Sequence, residues 1–347
     1  MLTLDTTLQG ERLCLRPSMT KFPAPDAHDL EICGAAYKRL PMYLNRQFVK
    51  ILEDLGVPSE AFLELQECAV ALLQLMAKSA TNAANFLETN FVGTAARLPS
   101  LIRMLEDIGL NFRQDDFLRS IAEIATLVQL RDLKHRARIP VSNAHTLYGV
   151  ADETGFLQPG QVHVIIREAD DRRRELEGKA VITRAPALHP GDIQMVMVVK
   201  VPEYSSNKYL DNCVIFSQHG DRDLPSQLSG GDLDGDLYNI IFDQTLFPTR
   251  IVEPADYPRP EAIDIRRAVN TTDMTNFFLT FMETDQLGYI CNTHMQIADQ
   301  KLDGTLSEEC IVLAGMASTA VDFSKTGIAV CSGHSDNYWF LIPKICY

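Results

Sequence analysis

Apolar and polar positions follow two rhythms along the chain, and the rhythm changes twice. From Ser59 onward, apolar residues recur every three or four positions, at Phe62, Leu65, Ala69, Leu72, Leu73 and Met76. That is the spacing of one buried helical stripe. Pro58, just ahead of Ser59, suits a helix start. The same rhythm predicts helices over 82–90, 98–108 and 115–130. From about residue 136 to 243, short β-rich runs take over, separated by Gly, Pro and Asp. They are Arg138-Ile139, Leu147-Tyr148-Gly149-Val150, Val162-His163-Val164-Ile165-Ile166, Ala180-Val181-Ile182, the run 195–201 and Val214-Ile215-Phe216. Short strands at that density predict a barrel. Helical spacing returns from about 263 to 321. Ahead of residue 50, Leu13, Leu15, Leu30 and Ile32 give brief strand-like pieces, broken by Pro17, Pro23 and Pro25.

Composition narrows the class. The chain has 347 residues, 46% of them hydrophobic, enough for a large core and more than one domain. No apolar run reaches the roughly 18 residues of a spanning helix. The first ten residues lack a basic-then-apolar signal pattern. Eight cysteines lie scattered without paired spacing, which points away from a zinc site or disulfide framework and toward a reducing, intracellular setting. The 32 basic and 46 acidic residues give a net charge of −14. A general nucleic-acid binder is basic over its footprint, so this balance argues against one. It leaves room for an enzyme whose acids are neutralised by bound cations. The charge run from Asp170 to Arg174, with Glu175 and Glu177, reads as a solvated loop.

The densest chemistry lies in Gly230-Gly231-Asp232-Leu233-Asp234-Gly235-Asp236-Leu237. Three carboxylates alternate with Leu233 and Gly235, so a tight turn gathers them around a small volume. Acids that close repel strongly unless a cation sits among them. Hard divalent ions take such oxygen ligands, and Mg²⁺ is held by a few carboxylates together with substrate phosphates. An EF-hand loop also begins Asp-x-Asp-x-Asp, but it needs Gly sixth and Glu twelfth. Here Leu237 and Asp243 hold those places. A plain acidic turn is the remaining alternative. The strand-like run Leu237-Tyr238-Asn239-Ile240-Ile241-Phe242 beside the acids makes uncompensated burial there costly. Two-metal phosphoryl or nucleotidyl transfer is the chemistry that fits.

The surroundings carry a resemblance. Ahead of the triplet stand Arg184-Ala185-Pro186-Ala187-Leu188-His189-Pro190-Gly191-Asp192, Cys213-Val214-Ile215-Phe216 and Gly220-Asp221-Arg222. Downstream come Asp285, Leu287-Gly288, His294, Ala298-Asp299 and Val321-Asp322-Phe323-Ser324-Lys325-Thr326-Gly327. Upstream, Leu13-Cys14-Leu15-Arg16-Pro17, Leu44-Asn45-Arg46-Gln47, Leu55-Gly56-Val57-Pro58 and Asp152-Glu153-Thr154-Gly155 continue the series. In this order the blocks resemble the cellular, eukaryotic RNA-dependent RNA polymerases of RNA silencing, over roughly residues 12 to 328.

The resemblance implies a mixed α and β fold built on double-psi β-barrels. The expected order is closing strands of a first barrel in 1–45, a connecting helical region in 46–132 and a second, complete barrel with the triplet in 133–250. A helical region in 251–330 and a divergent apolar tail in 331–347 follow. It implies a catalytic-core fragment with the first barrel truncated, and hence a poor polymerase as it stands. The implied reaction is template-directed nucleotidyl transfer with Mg²⁺, or Mn²⁺ in its place, held by Asp232, Asp234 and Asp236. Implied partners are RNA template, nascent RNA, NTPs and silencing-complex proteins, with no membrane. Arg184, Arg222, Lys21, Arg46 and Lys325 are the candidate phosphate or RNA contacts. Arg184 has a structural alternative in an ion pair with Asp192 or a neighbouring acid, and Lys325 in one with Asp322. Ala185 stands where the family usually has Asn, which puts sugar discrimination in doubt. His189 reads as a turn-stabilising residue rather than a catalyst. The rival functions are a silent remnant that binds RNA or a partner, and a two-metal nuclease.

Overall fold

The computed structural model describes residues 2–6, 8–19, 31–76, 79–168, 171–257, 265–328 and 330. Strand β1 (Leu40–Tyr43) leads into helix α1 (Arg46–Asp54), whose N-cap Asn45 accepts a hydrogen bond from the Phe48 amide. That is how a short polar side chain satisfies an otherwise orphaned N–H. Helices α2 (Ser59–Met76), α3 (Ala80–Thr89), α4 (Leu98–Asp107) and α5 (Asp116–Arg136) follow. Along α2, Phe62, Ala69, Leu73 and Met76 are buried as the stripe predicts, but Leu72 is exposed. It stands one position before Leu73, and adjacent helix positions are turned about 100° apart, so both cannot face the same neighbour.

The barrel is closed by six strands. They are β2 (Pro140–Ala151), β3 (Gln161–Arg167), β5 (Gly178–Arg184), β6 (Ile193–Val198), β7 (Cys213–Phe216) and β8 (Leu237–Ile241). Going round, the order is β2, β7, β3, β6, β5, β8 and back to β2. The β2–β7 and β3–β6 pairs are parallel and the other four antiparallel. Strand β1 adds to β2 outside this circuit. Period-two alternation sorts the side chains. Ala180, Ile182 and Ile240 join Leu147, Val164, Val214 and Tyr238 in one buried cluster, whereas Val181 and Ile241 pack with Phe48, Ile51 and Leu52 of α1.

Two expected readings are corrected. Arg173–Glu175 is strand β4, paired antiparallel with β3, not a solvated loop. The backbone ladder and the ion pairs of Arg167 and Arg173 with Asp211 hold charged residues in a strand that propensity disfavours. Conversely, Leu13, Leu15 and Ile32 are irregular and 60%, 61% and 80% exposed, with no described strand paired to them. Alternation alone does not make a strand without a ladder partner. Leu30, Lys21 and the tail at 331–347 lie outside the described residues.

After the barrel come α7 (Thr271–Thr284), α8 (Leu287–Gln300), α9 (Glu308–Val321) and the short α10 (Phe323–Thr326). Leu188, on the turn after β5, packs with Ile290, Leu313 and Ala317, which seats α8 and α9 beside the acidic loop.

Candidate active site

The acidic loop is built before β8 by a series of tight fits. A short helix, α6 (Leu224–Gln227), is capped by Asp223. Ser229 and Gly230 then turn through left-handed φ values of 53° and 65°. Gly231 passes where a Cβ would lie 2.7 Å from both Arg184 Cδ and Tyr238 Oη, so no larger residue fits without displacing them. Gly235, at φ 144°, reverses the chain between the second and third acids, in a region open mainly to glycine.

Hydrogen bonds fix the turn. The Asp232 amide donates to Asp236 Oδ2 at 2.9 Å, and the Asp234 amide to Asp232 Oδ1 at 3.3 Å. The Tyr238 hydroxyl donates to the Asp232 carbonyl at 2.8 Å, and the Gly149 amide of β2 to the Asp236 carbonyl at 3.1 Å. One carboxylate oxygen from each of Asp232, Asp234 and Asp236 lies within 4.8 Å of the other two. Among the described residues no other such group of His, Cys, Asp or Glu could hold a metal ion.

Among the described residues, acids outnumber cations there. Arg184 Nε sits 2.7 Å from Asp236 Oδ2. Lys325 Nζ lies 3.8 Å from Asp232 Oδ2 and 3.9 Å from Asp322 Oδ1. Among the described residues, two cations face four carboxylates, the triplet and Asp322. The hydrogen-bonded Asp232 carboxylate, burial and the charges of Asp232 and Asp236 push the Asp234 carboxyl up, while Lys325 draws it down. This is the electrostatic state that a divalent cation relieves, and three hard oxygen donors suit such an ion. The donor set and spacing fit a bound metal.

A second buried acid shapes the wall. Asp192 accepts hydrogen bonds from the amides of Leu188, His189 and Ser229, each at 3.0 Å, and from the Tyr257 hydroxyl. It ties the Leu188–Asp192 turn to the start of the acidic loop. Burial pushes its carboxyl up to about 6, against the pull of those donors. His189 accepts from the Gly191 amide at 3.0 Å and closes a capping box, a structural task. Together these groups enclose a cavity of about 70 Å³, bounded on its far side by Ala314, Ala317, Ser318 and Val321 of α9. A second, wider hollow shares Arg184 and Asp236 with this cavity but is otherwise lined by β1, β2, β8 and the helical region.

The structure thus brings five of the eight candidate residues together: Asp232, Asp234, Asp236, Arg184 and Lys325. Arg184 pairs with Asp236 rather than Asp192, because Asp192 is already filled by neutral donors. Arg222 turns back instead, donating to Ser226 Oγ at 3.2 Å and the Ser226 carbonyl at 2.8 Å, where it braces α6. Arg46 is the exposed first residue of α1. Sequence reasoning missed Asp192 and Tyr257 as a supporting pair. The signal lay in the His-Pro-Gly-Asp turn, whose acid sits at the N3 place of a capping box.

This chain resembles known proteins along most of its length. The family profile described as RNA dependent RNA polymerase matches residues 1–340. RNA-dependent RNA polymerase 6 of Arabidopsis thaliana is 35% identical over 336 residues, covering 92% of this chain and 27% of that protein. The probable RNA-dependent RNA polymerase SHL2 of Oryza sativa subsp. japonica is 34% identical, covering 97% and 28% respectively. RNA-dependent RNA polymerase 1 of Schizosaccharomyces pombe is 30% identical over 83% of this chain and 25% of that one. The chain spans between a quarter and three tenths of the length of these relatives. Among solved structures, the RNA dependent RNA polymerase QDE-1 from Thielavia terrestris superposes with a TM-score of 0.66 at 21% identity, over 90% of this chain and 39% of that one. That likeness shows the fold: mixed α and β around a double-psi barrel.

Proposed function

This chain belongs to the RNA-dependent RNA polymerase family, and from that premise we propose that its acidic loop is the metal-holding side of a template-directed nucleotidyl-transfer site. The observation that carries the reading is the convergence of Asp232, Asp234 and Asp236 within 4.8 Å of one another, beside Arg184 and Lys325. In the proposed reaction the 3′-hydroxyl oxygen of an RNA strand attacks the α-phosphorus of an NTP. The new O–P bond forms as the bond to the β-phosphate oxygen breaks; pyrophosphate leaves, and the hydroxyl proton passes to water. Mg²⁺, when bound, would make the attacking hydroxyl more acidic and stabilise the charge building on the leaving group.

The protein's own residues supply position and charge. Asp232, Asp234 and Asp236 would hold the ion, with Mn²⁺ as a substitute. Lys325, 65% exposed at the cavity mouth, can turn from Asp322 toward a phosphate. Arg184 fixes Asp236 in place through its ion pair and donates to the Ser229 carbonyl at 3.2 Å, so its role is to position the ligand. The cavity of about 70 Å³ has room for ions and water but not for a nucleoside triphosphate, so the substrates enter from the wider hollow. The double-stranded product suits RNA silencing, and the partners are template, nascent RNA and NTPs. No described helix is long and apolar enough to cross a membrane.

The test is extension of a primed RNA template by this chain with labelled NTPs. Slow incorporation that follows the template and disappears with EDTA is expected. Absence of incorporation with either Mg²⁺ or Mn²⁺ would favour a silent RNA-binding role, and shortening of the RNA without incorporation would indicate a nuclease.

A further inference from the structure

Helix α7 is well capped and poorly covered. Asn270 Oδ1 accepts from the Asp273 amide and Asp273 Oδ2 from the Asn270 amide, while Arg267 pairs with Asp273. Large apolar residues fall at Met274, Phe277, Phe278, Phe281 and Met282, the i, i+3, i+4, i+7, i+8 spacing of one helical stripe. Yet no residue of α7 is buried, and Phe278 and Met282 are 59% and 62% exposed. Among the described residues the stripe has one ring partner, Phe323 of α10, centred 5.3 Å from Phe277 and 5.8 Å from Phe281. Five of the 14 residues of α7 are threonine, a weak helix former, and Thr275, Thr280 and Thr284 donate to carbonyls four residues back. A helix this short holds in water chiefly by burying its apolar face. The described residues do not supply that cover.

The segment after Val330 can. Residues 331–347 lie outside the described residues, and their sequence contains Tyr338-Trp339-Phe340-Leu341-Ile342-Pro343, an apolar run without a charged residue. Neither the barrel nor the acidic loop accounts for it. Val330 packs with Leu313 and Ala317 of α9, and Phe323, shortly before it, touches α7. The chain therefore leaves the described part close to the stripe. From Val330 to Tyr338 the chain reaches up to about 27 Å, whereas α7 is about 21 Å long. Charge agrees as well. Lys344 follows the apolar run as the sole Lys or Arg of 331–347, and Glu283 and Asp285 follow the stripe. A tethered segment also meets the face at an effective concentration on the order of millimolar, well above that of a second copy in dilute solution.

We propose that residues 338–343 dock on the α7 stripe of their own chain, with Trp339 set among Phe277, Phe278 and Met282. Because Phe323 opens the short helix that carries Lys325, the docked segment also braces the cation facing Asp232.

Trp339 is the chain's one tryptophan, so its fluorescence reports this contact directly. The whole chain, excited where tyrosine does not absorb, should emit at short wavelength and resist quenching by acrylamide, unchanged on serial dilution. Phe278→Asp and Met282→Asp, both at exposed positions, should each lower the ratio of docked to free segment at least about tenfold, read as red-shifted emission and freer quenching. Phe278→Leu, which keeps an apolar side chain, should stay shielded. Leu127→Asp, at an exposed apolar position of α5, should change nothing. Far-UV circular dichroism checks that each variant is folded. In the reciprocal measurement, Trp339→Ser should speed amide hydrogen exchange along 274–282. Red, freely quenched emission from the folded wild type would overturn the proposal, as would unchanged exchange in Trp339→Ser. Shielding that survives both aspartates would overturn it by putting Trp339 elsewhere, and shielding lost on dilution by giving the face to a second copy of the chain.

Discussion

Two charged clusters lie on the same barrel and differ in one respect. At the β3–β4 edge, Asp211 receives Arg167 Nε at 3.1 Å and Nη2 at 2.5 Å, and Arg173 Nε at 2.7 Å, while Arg167 also reaches Asp171 at 2.8 Å. Two guanidinium groups meet two carboxylates, and the cluster is electrically finished. At the acidic loop, the amides of Asp232 and Asp234 spend their hydrogen bonds on neighbouring carboxylates, and two cations face four acids. Both clusters are ordered by hydrogen bonds, so order does not distinguish a structural site from a chemical one. What sets the proposed site apart is the excess of acids over cations among the described residues. The first cluster holds a hairpin together, and the second is held together by the fold around it.

The largest test of that contrast is catalytic. Asp234→Ala should lower primer extension by at least about a thousandfold, since it removes several kcal/mol of transition-state charge stabilisation. Asp211→Ala should leave the rate of the folded protein within about threefold. Equal losses in single-turnover extension would erase the distinction.

Next in size is the response to metal. A divalent cation at about a hundred times its dissociation constant should stabilise the chain by about 2.7 kcal/mol. Thermal unfolding with and without Mg²⁺ should show the shift in the wild type and in Asp211→Asn, and none in Asp232→Asn.

Asp192 supplies an intermediate case, an acid satisfied by neutral donors but buried. Its folded carboxyl titrates at about 6, above the ordinary 3.8. A raised acid stabilises the fold fully below about pH 4, and that contribution is lost as pH rises through about 6. Urea unfolding between about pH 4.5 and about pH 7.5 should therefore carry about 2 kcal/mol from this group, at about 1.4 kcal/mol per pH unit. The difference should vanish in Asp192→Asn. A wild-type slope that survives the substitution assigns the titration elsewhere.

The smallest effect belongs to the finished cluster. Its arginines are 37% and 41% exposed, so solvent screens the pairs. Asp211→Asn should cost about 1 kcal/mol, and less in high salt. A loss several times larger in chemical denaturation would mean that this cluster, too, carries buried strain.

What could be read in the sequence was what is local. The three aspartates announce themselves because chemistry and spacing sit within five positions, and Phe62 to Met76 announce α2 because a helix is a local object. Arg184 and Asp236 are 2.7 Å apart in space but far apart in the chain, and only barrel closure brings them together. Lys325 was legible through resemblance alone, since a lysine on a short C-terminal helix has no local signature. Arg173-Arg174-Glu175 was misread because a strand's fate depends on its ladder partner, and charge hid the ladder. The contact of Arg138 with the Tyr43 ring was invisible for the same reason: β1 and the residues just after α5 meet only when β1 pairs with β2.

The order of barrel pairing bears on how the chain is made. Strand β8 closes the circuit on β2, where Ala144 pairs with Ile241, roughly a hundred positions later. On the ribosome, β2, β3, β5, β6 and β7 all emerge first, and the circuit stays open until the residues just after the acids have left the exit tunnel. A nascent chain therefore presents its three aspartates as a loose acidic string until the moment of closure. If the gathered triplet holds a cation as proposed, its affinity for that ion and barrel closure would arise together, and ion uptake during synthesis would time the completion of the fold.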